Sequence, residues 1–154
     1  LAGSISGDRR RRTCSIPADR HLFFPVISVY DTPAPSRPMT CADLRGSTAH
    51  VTDRPISLEV KLNGVELANP QAHRITPAKC FDLTARIPSS AGVGPMFPSA
   101  TDGYWMMLRP LPPGRHTISF RAGRAQGESA FAEVMQDVTY TLTVLPEQPH
   151  EPQQ

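Results

Sequence analysis

The feature that most constrains this chain is a strict alternation of apolar and polar residues in three separate segments. Apolar or weakly polar side chains occupy every second position in Ile56–Leu62, His116–Phe120 and Val138–Val144. Successive side chains of a β-strand point to opposite faces, so this period of two predicts half-buried antiparallel strands. The side chains that we expect to face the core are Ile56, Leu58, Val60, Ile118, Phe120, Tyr140 and Leu142.

Two further segments, His21–Tyr30 and Tyr104–Leu108, carry apolar residues on both faces. Strands of this kind are typical of the middle of a sheet that is covered on both sides. Pro25 interrupts the first segment, and because proline has no N–H to donate, it predicts a bulge or an edge position.

Turn and helix signals complete the fold prediction. Asn63-Gly64 between two strand segments is typical of a type I′ hairpin turn, and Pro112-Pro113-Gly114 predicts a turn before the next strand. Thr40–His50 has helical character with Thr40 as its N-cap. Seventeen prolines disfavour further helices. The sequence therefore predicts an all-β fold with one short helix. The predicted architecture is an antiparallel β-sandwich, for which a jelly roll is one possible connectivity.

The length and net charge of the chain limit its possible domain organisation and partners. We expect residues 1–145 to form a single β-sandwich domain and the Pro/Gln-rich residues 146–154 to form a flexible tail. A formal net charge of +2 is too small to predict a nucleic-acid partner. No apolar run approaches the roughly 20 residues of a membrane span, and no glycine-rich nucleotide motif is present. We therefore predict no nucleic acid, no membrane span and no cofactor.

Four segments carry a resemblance to a known family: Leu1-Ala2-Gly3-Ser4, TCSIPADRHLFFPVIS at 13–28, DGYWMMLRPLPPGRHTISF at 102–120 and VTYTLTV at 138–144. In order and spacing they resemble a family of uncharacterised secreted bacterial proteins. The resemblance implies a secreted or periplasmic protein and brings no activity with it. Family members usually have a signal peptide and a tryptophan-rich segment ahead of the position of Leu1, so the resemblance also implies a truncated N-terminus.

The three cysteines, Cys14, Cys41 and Cys80, are widely spaced and form no CxxC motif. This spacing argues against a structural zinc site and fits one disulfide plus an odd thiol in an oxidising compartment. Relatives in the resembled family carry another cysteine upstream of the Cys14 segment. The resemblance therefore implies that the partner of Cys14 is missing and that Cys41 pairs with Cys80.

The histidines are dispersed, and no catalytic motif accompanies them, so we assign no catalytic residue. His21 and His116 fall on the inward faces of their strands, where two imidazoles could share a metal with Asp82 or Glu59. Two histidines without a third ligand of known spacing are weak evidence. We therefore predict that they are core or rim side chains and that there is no metal site.

The run of four arginines, Arg9, Arg10, Arg11 and Arg12, has two interpretations. It could bind an anionic partner such as nucleic acid, lipopolysaccharide or an acidic glycan. Alternatively, it could be a solvated hairpin loop between residues 1–4 and 13–16. Because no aromatic residue alternates with the arginines to stack on bases, we favour the loop.

Residues 89–103 form a predicted loop that is longer than a compact domain normally needs, and loops of this length are often functional. The loop leads to Asp102, Tyr104 and Trp105, a pair of aromatic residues beside a carboxylate that could bind a sugar ring. The alternative is that Trp105, the single tryptophan, anchors the core, and we favour it because large aromatic side chains dominate core packing.

Three functional hypotheses follow. The first is a secreted binding or interaction module without catalysis, whose partner is a glycan or a protein. The second is a small extracytoplasmic enzyme, a hydrolase or lyase, that uses carboxylates near the 89–103 loop such as Asp102 and Asp82. The third is a structural component of the envelope or of an assembly. An exposed aromatic platform would favour the first, converging carboxylates the second, and an apolar patch or open edge strand the third.

Overall fold

A computed structural model of the protein describes residues 1–4, 7–34, 36–53, 56–86, 96–126 and 129–146. Residues 89–95 of the loop expected at 89–103 and residues 147–154 of the tail expected at 146–154 lie outside these ranges. The elements, in chain order, are β1 (Arg9–Pro17), β2 (Leu22–Asp31), α1 (Cys41–Thr52), β3 (Ile56–Leu62), β4 (Val65–Glu66), a 3₁₀ turn (Pro70–His73), β5 (Arg74–Ile75), a second 3₁₀ turn (Thr84–Arg86), β6 (Ala100–Leu108), β7 (Gly114–Gln126) and β8 (Ser129–Leu145).

The strands form two sheets. One has five strands in the order β1-β8-β7-β3-β4, and the other has three in the order β2-β6-β5. This arrangement, with its one α-helix, confirms the prediction of an all-β fold. Neighbouring strands run antiparallel with one exception, since β1 pairs with β8 in parallel. These two strands lie far apart in the chain, so no tight turn dictates an antiparallel direction.

The inner faces of the two sheets pack on each other and form the core. At its centre, the ring of Phe24 from the three-stranded sheet stacks on Phe120 from the five-stranded sheet, with centroids 4.9 Å apart. The predicted core residues of β3, β7 and β8 are confirmed, since all are buried except Ile56, which is half-buried against the cluster. The alternating pattern therefore identified the correct face of each of these strands.

For β2, the mid-sheet position predicted from its two apolar faces is wrong, whereas the edge position that Pro25 predicts as one alternative is confirmed. Its segment is apolar on both faces, but β2 lies at the edge of its sheet, and β6 occupies the centre. The irregularity expected at Pro25 is present, because the register shifts between Pro25 and Ile27. The buried Gln136 amide compensates for the lost ladder bonds: its Nε2 donates to the carbonyls of Pro25 and Val26.

Local turn and cap predictions are confirmed. Leu62 pairs with Val65 across a hairpin in which Asn63 and Gly64 have φ values of 52° and 83°. Helix α1 begins after Thr40, whose hydroxyl accepts from the Asp43 N–H while the Asp43 carboxylate accepts from the Thr40 N–H. These features depend on neighbouring residues, so sequence reasoning reaches them without knowledge of the tertiary fold.

The disulfide implied by the family resemblance is also confirmed. Cys41, the first residue of α1, is bonded to Cys80, and their Cα atoms are 5.9 Å apart. The bond ties the start of the helix to the segment that leads into the bridge between Phe81 and Ser99. Cys14 is a free, half-buried thiol at the edge of the core.

Replacing both bonded cysteines, as Cys41→Ser/Cys80→Ser, should lower the free energy of unfolding by about 3–4 kcal/mol, since the crosslink restricts the unfolded chain. Urea denaturation followed by circular dichroism measures the change. Cys14→Ser is the matched control and should cost less than about 1 kcal/mol, because its side chain lies at the periphery of the core. Equal losses in both variants would show that the crosslink contributes nothing specific.

Candidate binding surface

Asp102 lies on β6 and has no exposed surface. Its carboxylate is held by Arg74 of β5, whose Nε donates to Oδ1 at 2.9 Å and whose Nη2 donates to Oδ2 at 2.7 Å. This two-point contact uses the planar guanidinium in its strongest geometry. The carboxylate therefore has a structural partner and cannot reach a ligand at the surface.

Arg74 also joins this sheet to the helix. Its guanidinium donates to Thr52 Oγ1 at 2.7 Å and pairs with Asp53 at 2.8 Å, at the C-terminal end of α1. Burial alone would raise the pKa of Asp102. The hydrogen bonds from Arg74, Thr52 and Thr76, together with the charge of Arg74, outweigh burial and hold that pKa below its ordinary value. Asp102 is thus ionised at neutral pH and stabilises the fold in that form.

The structure does not bring Asp102, Tyr104 and Trp105 together on one surface. Asp102 and Tyr104 point inward, toward α1 and the edge of the core, whereas Trp105 points to the opposite face. The reason is the pleat of the strand, since adjacent residues face opposite sides. Trp105 also lies outside the core cluster, so the interpretation of this residue as a core anchor is wrong.

Trp105 lies on the outward face of the three-stranded sheet. Its ring stacks on Phe23 of β2, with centroids 5.2 Å apart and planes 6° from parallel. Met107 and Ile75 flank the pair and are 65% and 48% exposed, and Phe23 itself is 46% exposed. We call these four side chains the aromatic face. They border a shallow depression of about 380 Å³, together with the turn that contains Ala72 and His73.

Gly103 determines how closely the strands approach beside the aromatic face. A Cβ atom at this position would lie 2.5 Å from the Ile27 carbonyl oxygen and 2.7 Å from Ser28 Cα, so a larger residue does not fit. Tyr30, which is 62% exposed, continues the same outward face along β2. Sequence reasoning found Trp105 but missed Phe23, although the doubly apolar pattern of β2 was the signal for it.

The other candidate side chains have structural roles. Asp82 Oδ1 accepts hydrogen bonds from the N–H groups of Thr84 and Ala85 and so begins the second 3₁₀ turn. His116 accepts from the Asn63 amide through Nδ1 and donates to the Pro112 carbonyl through Nε2, which fixes its tautomer. Within the described ranges, no group of three or more His, Cys, Asp and Glu side chains could hold a metal ion.

The arginine run is not a hairpin loop. Arg9–Arg12 are the first residues of β1, and their backbone pairs with residues 137–140 of β8. Arg12 turns inward, where its guanidinium donates to the Tyr140 hydroxyl at 2.9 Å and lies over the Tyr140 ring. Arg9 reaches Asp137 at 3.4 Å on the outer face of the five-stranded sheet. The strand alternation therefore divides the run between two faces.

Comparisons with known proteins give little further information. No family model matches the chain, and no curated protein matches it. Among solved structures, the fold is similar to a cysteine protease inhibitor from Entamoeba histolytica, with 13% sequence identity over 90% of this chain and 88% of that chain. The TM-score of 0.33 is too low for this likeness to support a conclusion. Across the described residues, none of the helices has the length and apolar character needed to cross a membrane.

The Arg74–Asp102 pair predicts that two variants, one at each residue, lose less stability than the wild type as the pH falls. Because the pKa of Asp102 is depressed, its stabilising contribution is present above the ordinary carboxyl pKa, about 3.9, and is lost as the pH falls below it. Asp102→Asn should therefore lose less stability than the wild type between pH 5 and pH 3. Arg74→Met leaves a buried unpaired carboxylate, which should cost about 3 kcal/mol at pH 7.

Lowering the pH should reduce the stability difference between Arg74→Met and the wild type, because protonation of Asp102 removes the unpaired charge. Thermal melts at several pH values between 3 and 7 measure both effects. Parallel pH profiles for the wild type and Arg74→Met would contradict the structural role given to this pair.

Proposed function

We propose that this protein is a secreted or periplasmic binding module that docks an apolar segment of a partner protein on its aromatic face. The observation that carries the proposal is the stack of the exposed Phe23 ring on the half-buried Trp105 ring, with the exposed side chains of Met107 and Ile75 beside it. In the described part of the chain, no element covers these side chains. Folding alone gives no reason to place four large apolar groups together in water.

The composition of the aromatic face is that of a protein interface. Contiguous exposed apolar patches are uncommon on monomeric proteins and mark interaction sites. Aromatic residues and methionine are enriched at the centres of interfaces, because they bury a large area with few rotatable bonds. The stacked rings of Phe23 and Trp105 restrict each other, so part of the ordering cost of binding is already met in the free protein.

A protein partner fits the aromatic face better than a glycan does. A sugar ring can stack on Trp105, but its hydroxyl groups need hydrogen-bond partners once they leave water. The charged or imidazole side chains that line the depression are His73 and Arg74, and the Arg74 guanidinium is already engaged by Asp102, Thr52 and Asp53. An apolar peptide segment makes no such demand.

The two other hypotheses have less support. A general acid at neutral pH needs a raised carboxyl pKa, whereas the pKa of Asp102 is lowered by its bonds to Arg74. Assembly of identical copies would use the same aromatic face, and sedimentation of the purified protein distinguishes it from binding of a different partner. The secreted or periplasmic location is supported by the Cys41–Cys80 disulfide, since such crosslinks form in oxidising compartments. Membership of the resembled secreted bacterial family belongs to the same proposal.

Selection from a random peptide library displayed on phage tests the proposal directly. The wild-type protein is the target, and Met107→Glu is the counter-target, which places a charge in the aromatic face without disturbing the core. We expect enriched peptides rich in aromatic and aliphatic residues. Their affinity should fall at least about tenfold with Met107→Glu or Trp105→Ala, equivalent to about 1.4 kcal/mol. Thr143→Glu, on the exposed face of the other sheet, is the matched control and should bind as the wild type does.

Three results would count against this function. Enriched peptides that bind Met107→Glu and the wild type equally would place the site elsewhere. Failure to enrich any peptide over several rounds would argue against an apolar docking face. Trp105-dependent binding on a glycan array, without peptide binding, would replace the protein partner with a glycan.

A further inference from the structure

The outer face of the five-stranded sheet has a chemistry opposite to that of the aromatic face. The polar side chains of β1, β7 and β8, with Glu59 of β3, line an open groove of about 510 Å³ there. Three arginines and three threonines provide most of the polar side chains of this groove: Arg9, Arg11, Thr13, Arg121, Thr139 and Thr141. We call these six the polar face. It lies on the far side of the sandwich from Trp105, because the inner faces of the two sheets pack on each other.

The polar face has an excess of positive charge. Arg9 and Arg121 share one carboxylate, that of Asp137, at 3.4 and 3.9 Å. The other carboxylate of the groove belongs to Glu59, which is paired with Lys61 at 2.9 Å. Arg11 is exposed and has no acidic partner among the described residues. Four cations therefore face two carboxylates, and the Arg9 side chain remains 66% exposed despite its pair.

Hydroxyl groups occupy the positions between the arginines. In the strand register, Thr139 of β8 lies between Arg11 of β1 and Ser119 of β7. Thr141 lies between Thr13 of β1 and Thr117 of β7. Alternate residues of a strand are about 7 Å apart, and neighbouring strands are about 4.8 Å apart. The face thus presents a flat grid of hydroxyls, which both donate and accept hydrogen bonds, with guanidinium groups at its margins.

We propose that the polar face binds an acidic polysaccharide whose charges are carboxylates. The planar guanidinium matches a carboxylate with two parallel hydrogen bonds, and the hydroxyl grid is suited to the hydroxyl groups of sugar rings. The groove is open and spans three strands, which suits a polymer better than a small enclosed anion. Nucleic acid is disfavoured because none of the described residues of this face carries an exposed aromatic ring that could stack on bases.

The proposal is independent of the proposed protein partner, because it uses different residues on the opposite side of the molecule. It requires that the side chains of Arg9 and Arg11 point to the same face of β1, and their spacing of two residues ensures this. Their removal should not affect folding. Arg11 makes no ion pair with a described residue, and exposed pairs such as Arg9–Asp137 contribute about 0–1 kcal/mol.

Titration with oligogalacturonate, followed by calorimetry at low ionic strength, tests the inference. We compare the wild type with Arg9→Gln/Arg11→Gln and with the charge-matched control Arg20→Gln/Arg45→Gln, whose exposed arginines lie away from the groove. The groove variant should raise Kd at least about tenfold, the control less than about twofold, and neutral dextran should not bind. Binding should weaken as salt rises, since the contacts are exposed charges.

Several outcomes would overturn the inference. One is the absence of any heat of binding when oligogalacturonate is added. Another is an equal loss of affinity in the two double variants, which would show that only the net charge of the protein matters. Stronger binding of single-stranded DNA than of oligogalacturonate would assign the face to nucleic acid instead. If the double variant melts at a lower temperature, the single variant Arg11→Gln provides the same comparison without loss of an ion pair.

Discussion

The contact of Phe24 with Phe120 between the two sheets is the interaction on which the rest of the structure depends. It lies at the centre of a core to which β2 and β6 contribute from one side and β3, β7 and β8 from the other. Because each strand alternates, fixing the inner faces at this contact also determines the outer faces. The two candidate surfaces are therefore consequences of the core and not separate additions to it.

A second constraint is the polar network around Arg74 and Asp102, which attaches α1 to the three-stranded sheet. A buried carboxylate is unfavourable unless it is paired, and here the guanidinium, Thr52 and Thr76 satisfy it. Asp31, at the end of β2, accepts from Ser47 of the same helix at 2.7 Å. Together with the Cys41–Cys80 bond, these contacts hold the helix at both of its ends and leave the aromatic face uncovered on the other side of the sheet.

The two outer faces differ in a way that suits two different kinds of partner. The aromatic face is apolar and contains a stacked ring pair, and the polar face combines arginines with hydroxyl groups on three neighbouring strands. Both lie on strands, so their side chains are held by a rigid backbone before a partner arrives. In the proposed functions, a protein and a polysaccharide could bind at the same time, because the sandwich separates their sites.

The sequence by itself determined the features that depend on neighbouring residues: the faces of β3, β7 and β8, the Asn63-Gly64 hairpin and the cap at Thr40. The family resemblance added the pairing of Cys41 with Cys80. Only the tertiary structure decided that Trp105 faces outward, that the Asp102 carboxylate is paired with Arg74, and that the arginine run begins a strand. The physical reason is that a period of two shows that a strand has two faces but not which element covers each of them. The partner of a buried charge, here 28 residues away, is chosen by the packing of whole sheets.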